Sequence, residues 1–232
     1  MNEIKMKSLK HDLKRALILI GVYVLTMGNH YFPQVIMNLF HLEELPGTAM
    51  FICLFIPFVV GYILYVDDLS VDAKRQSEKD QNTWGGMVRL IIHLIGWIIV
   101  ATMLQAVLGM TLLKDVEQSL NQQGLEVLFA KDHSMYTILA ISVFGPIVEE
   151  MIFREVLITQ ASKYMNIYIA AIISCVAFTA IHCVNLIEFV SYLPITVILT
   201  VVYFKEDRNV LNTTLFHIMY NSFLTFILFN AL

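Results

Sequence analysis

Three short polar motifs lie inside segments of the chain that are otherwise apolar, at residues 148–155, 178–182 and 217–221. Together they contain carboxylates, imidazoles and a carboxamide. Ionisable side chains inside an apolar helix cost about 2.5–3.5 kcal/mol each on insertion scales, so they indicate a functional site by default. A carboxylate can act as the base that activates water, and imidazole and amide N–H groups can stabilise developing negative charge. The motifs therefore suggest hydrolysis by general acid–base catalysis.

Helical spacing assigns different roles to the two adjacent glutamates. Glu150 and Arg154 are four residues apart, so they share a helix face and can pair. Glu149 is turned by ~100° from Glu150 and has no partner on its own helix. We therefore expect Glu149 to meet a group from another helix, and His182 is the candidate.

Two further pairs share a helix face by the same spacing. His217 and Asn221 are four residues apart, which directs an imidazole and an amide toward one place. Phe178 and His182 are also four apart, which predicts an aromatic wall beside the histidine.

Each feature taken alone also has a structural interpretation. A single Glu–Arg pair can hold a helix bundle together, and a lone histidine is usually a satisfied core residue. The cysteines, Cys53, Cys175 and Cys183, show no CxxC spacing, so neither disulfides nor a cysteine metal site are indicated.

The composition predicts where these motifs reside. The chain has 232 residues, of which 58% are hydrophobic and 15% charged, whereas soluble domains are about 45–50% apolar and about 25% charged. One core of this size cannot hide that apolar excess, so lipid must cover much of it. We predict an all-α polytopic transmembrane bundle that forms a single integral-membrane domain, residues 1–232. A net charge of −4 without a basic run gives no indication of a nucleic-acid partner.

Hydropathy predicts about seven spans, since each needs about 20 mostly apolar residues. The sixth is short and contains Pro194, so we expect it to be tilted, broken or partly re-entrant. An eighth element would come from the third apolar stretch or from the connection 114–133, which is predicted to lie along the membrane or act as a lid. The predicted spans are 13–32, 48–66, 88–113, 136–160, 167–183, 189–204 and 210–232.

The distribution of Lys and Arg predicts the orientation. When the connections are assigned alternately to the two sides, one side holds all of these residues except Lys114 and Lys131. By the positive-inside rule the N-terminus is cytoplasmic.

Helix arithmetic gives a mixed answer for the depth of the site. At 1.5 Å per residue, Glu149 lies ~20 Å from the outer start of its span and His182 ~24 Å from the inner start of its own. In a core ~30 Å thick these depths do not match. Tilt, a kink at Gly145 and Pro146, or a misplaced boundary would close the gap.

The three motifs, Glu-Glu-x-x-x-Arg, Phe-x-x-x-His and His-x-x-x-Asn, occur in that order on successive apolar segments. This arrangement resembles the CAAX protease and bacteriocin-processing family (CPBP, or Abi), which includes the type II CAAX prenyl endopeptidases. The resemblance covers roughly residues 136–232, the family-like catalytic core. The conjunction is specific, whereas any one motif would be weak.

The resemblance implies a glutamate-dependent peptidase that needs no metal and no cofactor. It implies that Glu149 activates water with help from His182, and that His217 and Asn221 stabilise the charge on the scissile carbonyl. Eukaryotic members cleave prenylated C-termini, and bacterial members are linked to bacteriocin maturation, self-immunity and processing of peptide signals. The short chain is more similar to bacterial members, which implies the plasma membrane. The implied supporting residues are Glu150, Arg154 and Phe178.

Other functions fit the same residues. A zinc peptidase would use Glu149, His182 and His217 as ligands, although the His-Glu-x-x-His helix of many zinc peptidases is absent. A non-catalytic scaffold or immunity protein would bind a peptide or a membrane partner through the same motifs, and a transporter is a weaker third alternative because no inverted repeat is evident. For the peptidase, the expected partners are the lipid bilayer and a peptide or protein cut close to the membrane. The substrate and the oligomeric state stay open.

Overall fold

The computed structural model describes residues 3–28, 31–42, 45–78, 83–111 and 120–231, and these residues form helices and short connections. No strand occurs among them, so the predicted all-α class is confirmed. The α-helices are α1 Glu3–Met27, α2 Tyr31–Phe40, α3 Pro46–Glu78, α4 Trp84–Thr111, α5 Leu120–Lys131, α6 Met135–Leu139, α7 Gly145–Glu150, α8 Ile167–Ile181, α9 Leu186–Lys205 and α10 Val210–Ala231.

One continuous span, Met135–Lys163, lies at the centre of the molecule and is called the composite span below. It consists of α6, a first π segment (Ala140–Phe144), α7, a second π segment (Met151–Gln160) and a terminal 3₁₀ turn. It is the most buried of the long apolar helices. Helices α3 and α10 pack against its first half, and α1 and α8 against its second. The largest buried cluster includes Val148, Ile152, Phe178, Leu199 and Phe216.

Length and composition identify four candidate spans among the described residues, or five if α1 and α2 form one bent span. Helix α8 falls outside this set because it has 15 residues, and polar residues such as Asn212 and His217 interrupt the apolar character of α10. The seven predicted spans and the cytoplasmic N-terminus therefore stay predictions. The first predicted span, 13–32, differs from the structure, in which α1 begins at Glu3 and ends at Met27, since hydropathy marks where apolar residues begin and not where a helix does.

The predicted lid region contains a helix of its own. Residues 112–119 lie outside the described residues, and α5 follows as 12 residues, or ~18 Å, which is too short to cross a ~30 Å core. Its Phe129 is fully buried, so α5 is anchored to the rest of the chain.

Charged side chains fix α1 to the end of the composite span that carries Lys163. Asp12 of α1 accepts hydrogen bonds from Lys163 Nζ (3.1 Å) and from the Tyr164 hydroxyl (2.8 Å). Asp68 of α3 accepts one from Gln160 (3.0 Å) and pairs with Arg15. These contacts join α1, α3 and the composite span at one level.

The opposite end is fixed by one carboxylate. Asp132 Oδ2 accepts hydrogen bonds from the backbone N–H and the hydroxyl of Thr48 (2.9 and 3.2 Å), which caps α3. Asp132 Oδ1 accepts from the backbone N–H of Ser134 (3.0 Å). Burial by itself raises the pKa of Asp132, but the hydrogen bonds from Ser134 and Thr48 outweigh it and hold the pKa below its ordinary value.

This lowered pKa predicts an acid-dependent loss of stability. The hydrogen bonds to Asp132 contribute fully to the free energy of unfolding above the unfolded-state pKa of ~3.9. This contribution is lost as the pH falls through the lower folded-state pKa. We expect Asp132→Asn to lower the melting temperature in detergent at pH 6, and the difference from wild type to shrink toward pH 3. An equal difference at both pH values would contradict this role.

The helices α3 and α6 approach so closely that only glycine fits at position 47. A Cβ atom there would lie 1.9 Å from Thr137 Oγ1. We expect Gly47→Ala to destabilise the protein by about 1–3 kcal/mol through overpacking. The matched control is Gly96→Ala in α4, where a Cβ would meet nothing within 4 Å. Thermal unfolding in detergent measures both, and equal melting temperatures would show that this contact is not tight.

Candidate active site

The two glutamates lie in a short α-helical turn between the two π segments of the composite span. In the first π segment the Gly145 N–H donates to the Ala140 carbonyl, five residues back. If the same five-residue spacing continued, the N–H of residue 146 would donate to the Ile141 carbonyl, but Pro146 has no N–H. The side-chain amide of Asn221 on α10 donates to that carbonyl instead, at 3.2 Å. Pro146 thus leaves a carbonyl free to accept a hydrogen bond from α10, which attaches α10 to the composite span. Segments with π-type hydrogen bonds, such as this one, occur often at functional sites.

Glu150 is the centre of a buried charged group. Its Oε1 accepts hydrogen bonds from Arg154 Nη1 (3.1 Å) and from His217 Nδ1 (2.9 Å). Glu150 and Arg154 are both fully buried, and the Arg154 guanidinium lies over the Phe178 ring, 5.1 Å from its centroid. Two donors on separate helices therefore bind the same oxygen of this carboxylate, one from the composite span and one from α10, whereas Oε2 is buried without a hydrogen bond to any described residue.

Glu149 has different partners, all of them outside its own helix. Its Oε1 lies 3.6 Å from His182 Nε2, and its Oε2 lies 3.7 Å from His217 Nε2. The Glu149 side chain is 13% exposed, whereas that of Glu150 is 0% exposed. Three elements thus converge on one carboxylate that retains some access to its surroundings.

Hydrogen bonds fix the orientation of both imidazole rings. The Phe178 carbonyl can only accept, so the His182 Nδ1 at 2.9 Å from it must donate. The Nδ1 of His217 likewise donates to the Glu150 carboxylate. In the neutral form each ring therefore presents an unprotonated Nε2 toward Glu149, and in the charged form it presents an N–H. The site can take up and release protons at these two atoms.

The predicted mismatch in depth between Glu149 and His182 is wrong. The composite span has 29 residues, or ~43 Å, so it is longer than a ~30 Å core. Counted from Lys163, Glu149 is ~21 Å along the span, and His182 is ~22 Å from Ile167 at the start of α8. The two residues are level when measured from the end that the two helices share.

Aromatic rings surround the two histidines. Phe178 stacks against His182 with 4.7 Å between ring centroids and lies 5.8 Å from the His217 ring. Tyr192 of α9 stacks against His182 at 4.6 Å and 10°. The sequence analysis did not single out Tyr192, because one tyrosine in an apolar segment has no spacing signal that distinguishes it from a packing residue.

The structure brings Glu149, His182 and His217 together, and it adds a contact for Asn221 that was not predicted. Asn221 was expected to point to the same place as His217, but one of its N–H groups is bound to the Ile141 carbonyl. His93, which also lies within a predicted span, contacts Glu206 (2.7 Å) and accepts from Trp97, away from these residues. Within the described ranges, no group of three His, Cys, Asp or Glu residues is placed to hold a metal ion.

One comparison with known proteins finds a family model that matches the segment holding this site. Residues 131–223 match the model for "Type II CAAX prenyl endopeptidase Rce1-like". The predicted family resemblance is confirmed. The matched segment contains the composite span, α8, α9 and most of α10, so it includes every residue of the site described above. This family consists of CAAX protease-type membrane endopeptidases. Searches of curated proteins and of solved structures gave no match.

Breaking the buried pair of Glu150 and Arg154 is expected to lower the stability of the protein. Arg154→Met leaves the Glu150 carboxylate with one donor fewer in a buried site, and breaking a buried ion pair costs about 3–5 kcal/mol. We expect a correspondingly lower melting temperature in detergent. The double variant Glu150→Gln/Arg154→Met removes both charges and should recover part of the loss. If the double variant is less stable than Arg154→Met alone, the pairing does not account for the effect.

Proposed function

We propose that this protein is an intramembrane endopeptidase in which Glu149 activates the attacking water. The observation that supports this most directly is the position of the Glu149 carboxylate, which lies 3.6 and 3.7 Å from the imidazole nitrogens of two residues outside its own helix. The family match supports the coarser part of the proposal, a CAAX protease-type membrane endopeptidase. The residue roles below are part of the proposal.

In the first step a water molecule attacks the scissile carbonyl. The water donates one hydrogen bond to Glu149 and one to Nε2 of His182. Both atoms can accept, because the carboxylate is ionised and Nε2 is unprotonated when the imidazole is neutral. Glu149 takes the proton as the new C–O bond forms, and the carbonyl oxygen becomes an oxyanion. A positioned base of this kind contributes roughly 10²–10⁴-fold.

Donors beside the carboxylate stabilise the oxyanion. We assign this role to His217 through Nε2–H in its charged form, and to the second N–H of the Asn221 amide. Asn has two amide N–H groups, and the hydrogen bond to Ile141 uses one of them. One such donor is worth roughly 10²–10³-fold.

In the second step the tetrahedral intermediate collapses. The C–N bond breaks, and the proton held by Glu149 passes to the leaving amine, directly or through His182. The carboxylate is then restored, and the products are a free carboxylate and a free amine. Glu150 and Arg154 stay outside this proton transfer and hold His217 in place through its Nδ1.

The proposed substrate is a peptide or protein with its cleavage site close to a membrane. The proposed location is a multi-pass position in a bacterial plasma membrane, with roles in peptide maturation, processing of peptide signals or bacteriocin immunity. The proposed chemistry uses water, Glu149 and the two imidazoles without a metal ion. Metal analysis of purified protein, together with cleavage after treatment with a chelator, tests that part of the proposal separately.

The decisive substitution is Glu149→Gln, which preserves size and removes the base. We expect cleavage to fall by at least 10²-fold, while the melting temperature in detergent stays close to that of wild type. The measurement is quantitative peptidomics of cells that produce either form, followed by kinetics on any peptide released only by wild type.

The matched control is Glu78→Gln, which makes the same chemical change at an exposed residue at the end of α3. This variant should retain full cleavage. Undiminished cleavage by Glu149→Gln would end the assignment and favour a non-catalytic binding protein.

A further inference from the structure

The imidazole of His182 is stacked against two aromatic rings from different helices. Phe178 lies at 4.7 Å and 25°, and Tyr192 at 4.6 Å and 10°, measured between ring centroids and ring planes. Two rings this close and nearly parallel to one small imidazole cannot share a face of it, so they lie on opposite faces. The ring plane of His182 is therefore held from both sides.

His182 needs such support because it lies beyond the last residue of α8. That helix ends at Ile181, and His182 has the non-helical angles φ −101° and ψ 0°, with its own N–H on the Thr179 carbonyl. The backbone there lacks the regular hydrogen bonds that fix side chains in the middle of a helix. The His182 Nδ1–H bond to Phe178 fixes one atom of the ring, and stacking restrains its plane.

The turn between α8 and α9 brings Tyr192 beside the His182 ring. The Asn185 side chain caps α9 by accepting from the Glu188 N–H (2.9 Å), and the Glu188 carboxylate accepts from the Val184 N–H (3.0 Å). These two hydrogen bonds hold the short connection between the helices in one conformation. The start of α9 is therefore fixed in position relative to His182. Tyr192 lies about two turns into α9, at the level of the imidazole.

We propose that Tyr192 is a positioning residue for the site: its ring and that of Phe178 clamp the His182 imidazole so that Nε2 stays directed at Glu149. The stacked ring is the part of Tyr192 that holds the imidazole. The catalytic part of this inference rests on the proposed function, whereas the clamping of His182 does not. The consequence is that α9 contributes to the site although it contains none of the three motifs.

The clamp is tested on the full chain in detergent micelles by ¹⁵N NMR of histidine-labelled protein, with the His182 signals assigned by their loss in His182→Gln. We expect wild type and Tyr192→Phe to show the same Nδ1–H tautomer of His182 and the same pH titration. Tyr192→Leu removes the stacked ring and should produce a mixture of tautomers and a displaced titration midpoint. The control Tyr62→Leu makes the same change at an exposed position of α3 and should match wild type.

Unchanged tautomers and titration in a folded Tyr192→Leu protein would overturn the proposal. If circular dichroism shows that this variant does not fold, Glu188→Ala decides in its place, because it loosens the turn that orients α9. It should shift the His182 signals in the same direction, and no shift would count against the clamp.

Kinetics on the peptide released only by wild-type cells connect the clamp to cleavage. We expect kcat to fall roughly three- to tenfold in Tyr192→Leu, in line with the strength of an aromatic pair, with KM nearly unchanged and Tyr192→Phe close to wild type. Loss of activity in Tyr192→Phe would show that the hydroxyl acts. If Glu149→Gln retains cleavage, the proposed function fails while the NMR result still decides on the clamp.

Discussion

Two adjacent carboxylates lie inside an apolar helix bundle, and the arrangement of the surrounding helices follows from the need to compensate them. Charges interact strongly where water is scarce, so Glu149 and Glu150 cannot both be left without partners. Glu150 is neutralised by Arg154 and His217, which requires α10 to pack against the composite span at that level. With Glu150 paired in this way through Oε1, Glu149 faces His182 and the other nitrogen of His217. His217 thus connects the two carboxylates, because each of its nitrogens faces one of them.

The parts of this site that could be predicted from the sequence depend on geometry within one helix. The pairing of Glu150 with Arg154 and the turn that separates Glu149 from both follow from the rotation per residue alone. The stacking of Phe178 on His182 follows from the same spacing. Contacts between helices were harder to predict, because they depend on where each helix ends. The level of His182 was misjudged because hydropathy ended the fourth span at residue 160, whereas the composite span continues to Lys163. Tyr192 was missed because it lies on a helix with no polar motif.

Asn221 shows how a helix-breaking residue can alter a prediction made from spacing. Four residues after His217, it was expected to direct its amide to the same place, and helix geometry by itself supports that. The sequence also contains Pro146, whose missing N–H leaves a carbonyl of the composite span without its backbone donor. The amide of Asn221 fills that requirement at Ile141. Leaving a buried carbonyl unpaired costs about 1–3 kcal/mol, which is enough to decide the orientation of one amide N–H.

The shortness of α8 has consequences for both stability and chemistry. Its 15 residues extend ~22 Å, less than the ~30 Å core, so a helix of this length that starts at the membrane surface ends inside the core. Backbone groups outside helices are tolerated at that depth only where protein or a polar cavity satisfies them. Asn185, Glu188 and the N–H of His182 itself supply hydrogen bonds in this turn. A longer α8 would satisfy its backbone without help, but it would carry the chain past Glu149 before turning, and α9 would no longer bring Tyr192 to the imidazole. The early end of α8 therefore accounts for both the capped turn and the aromatic ring beside His182.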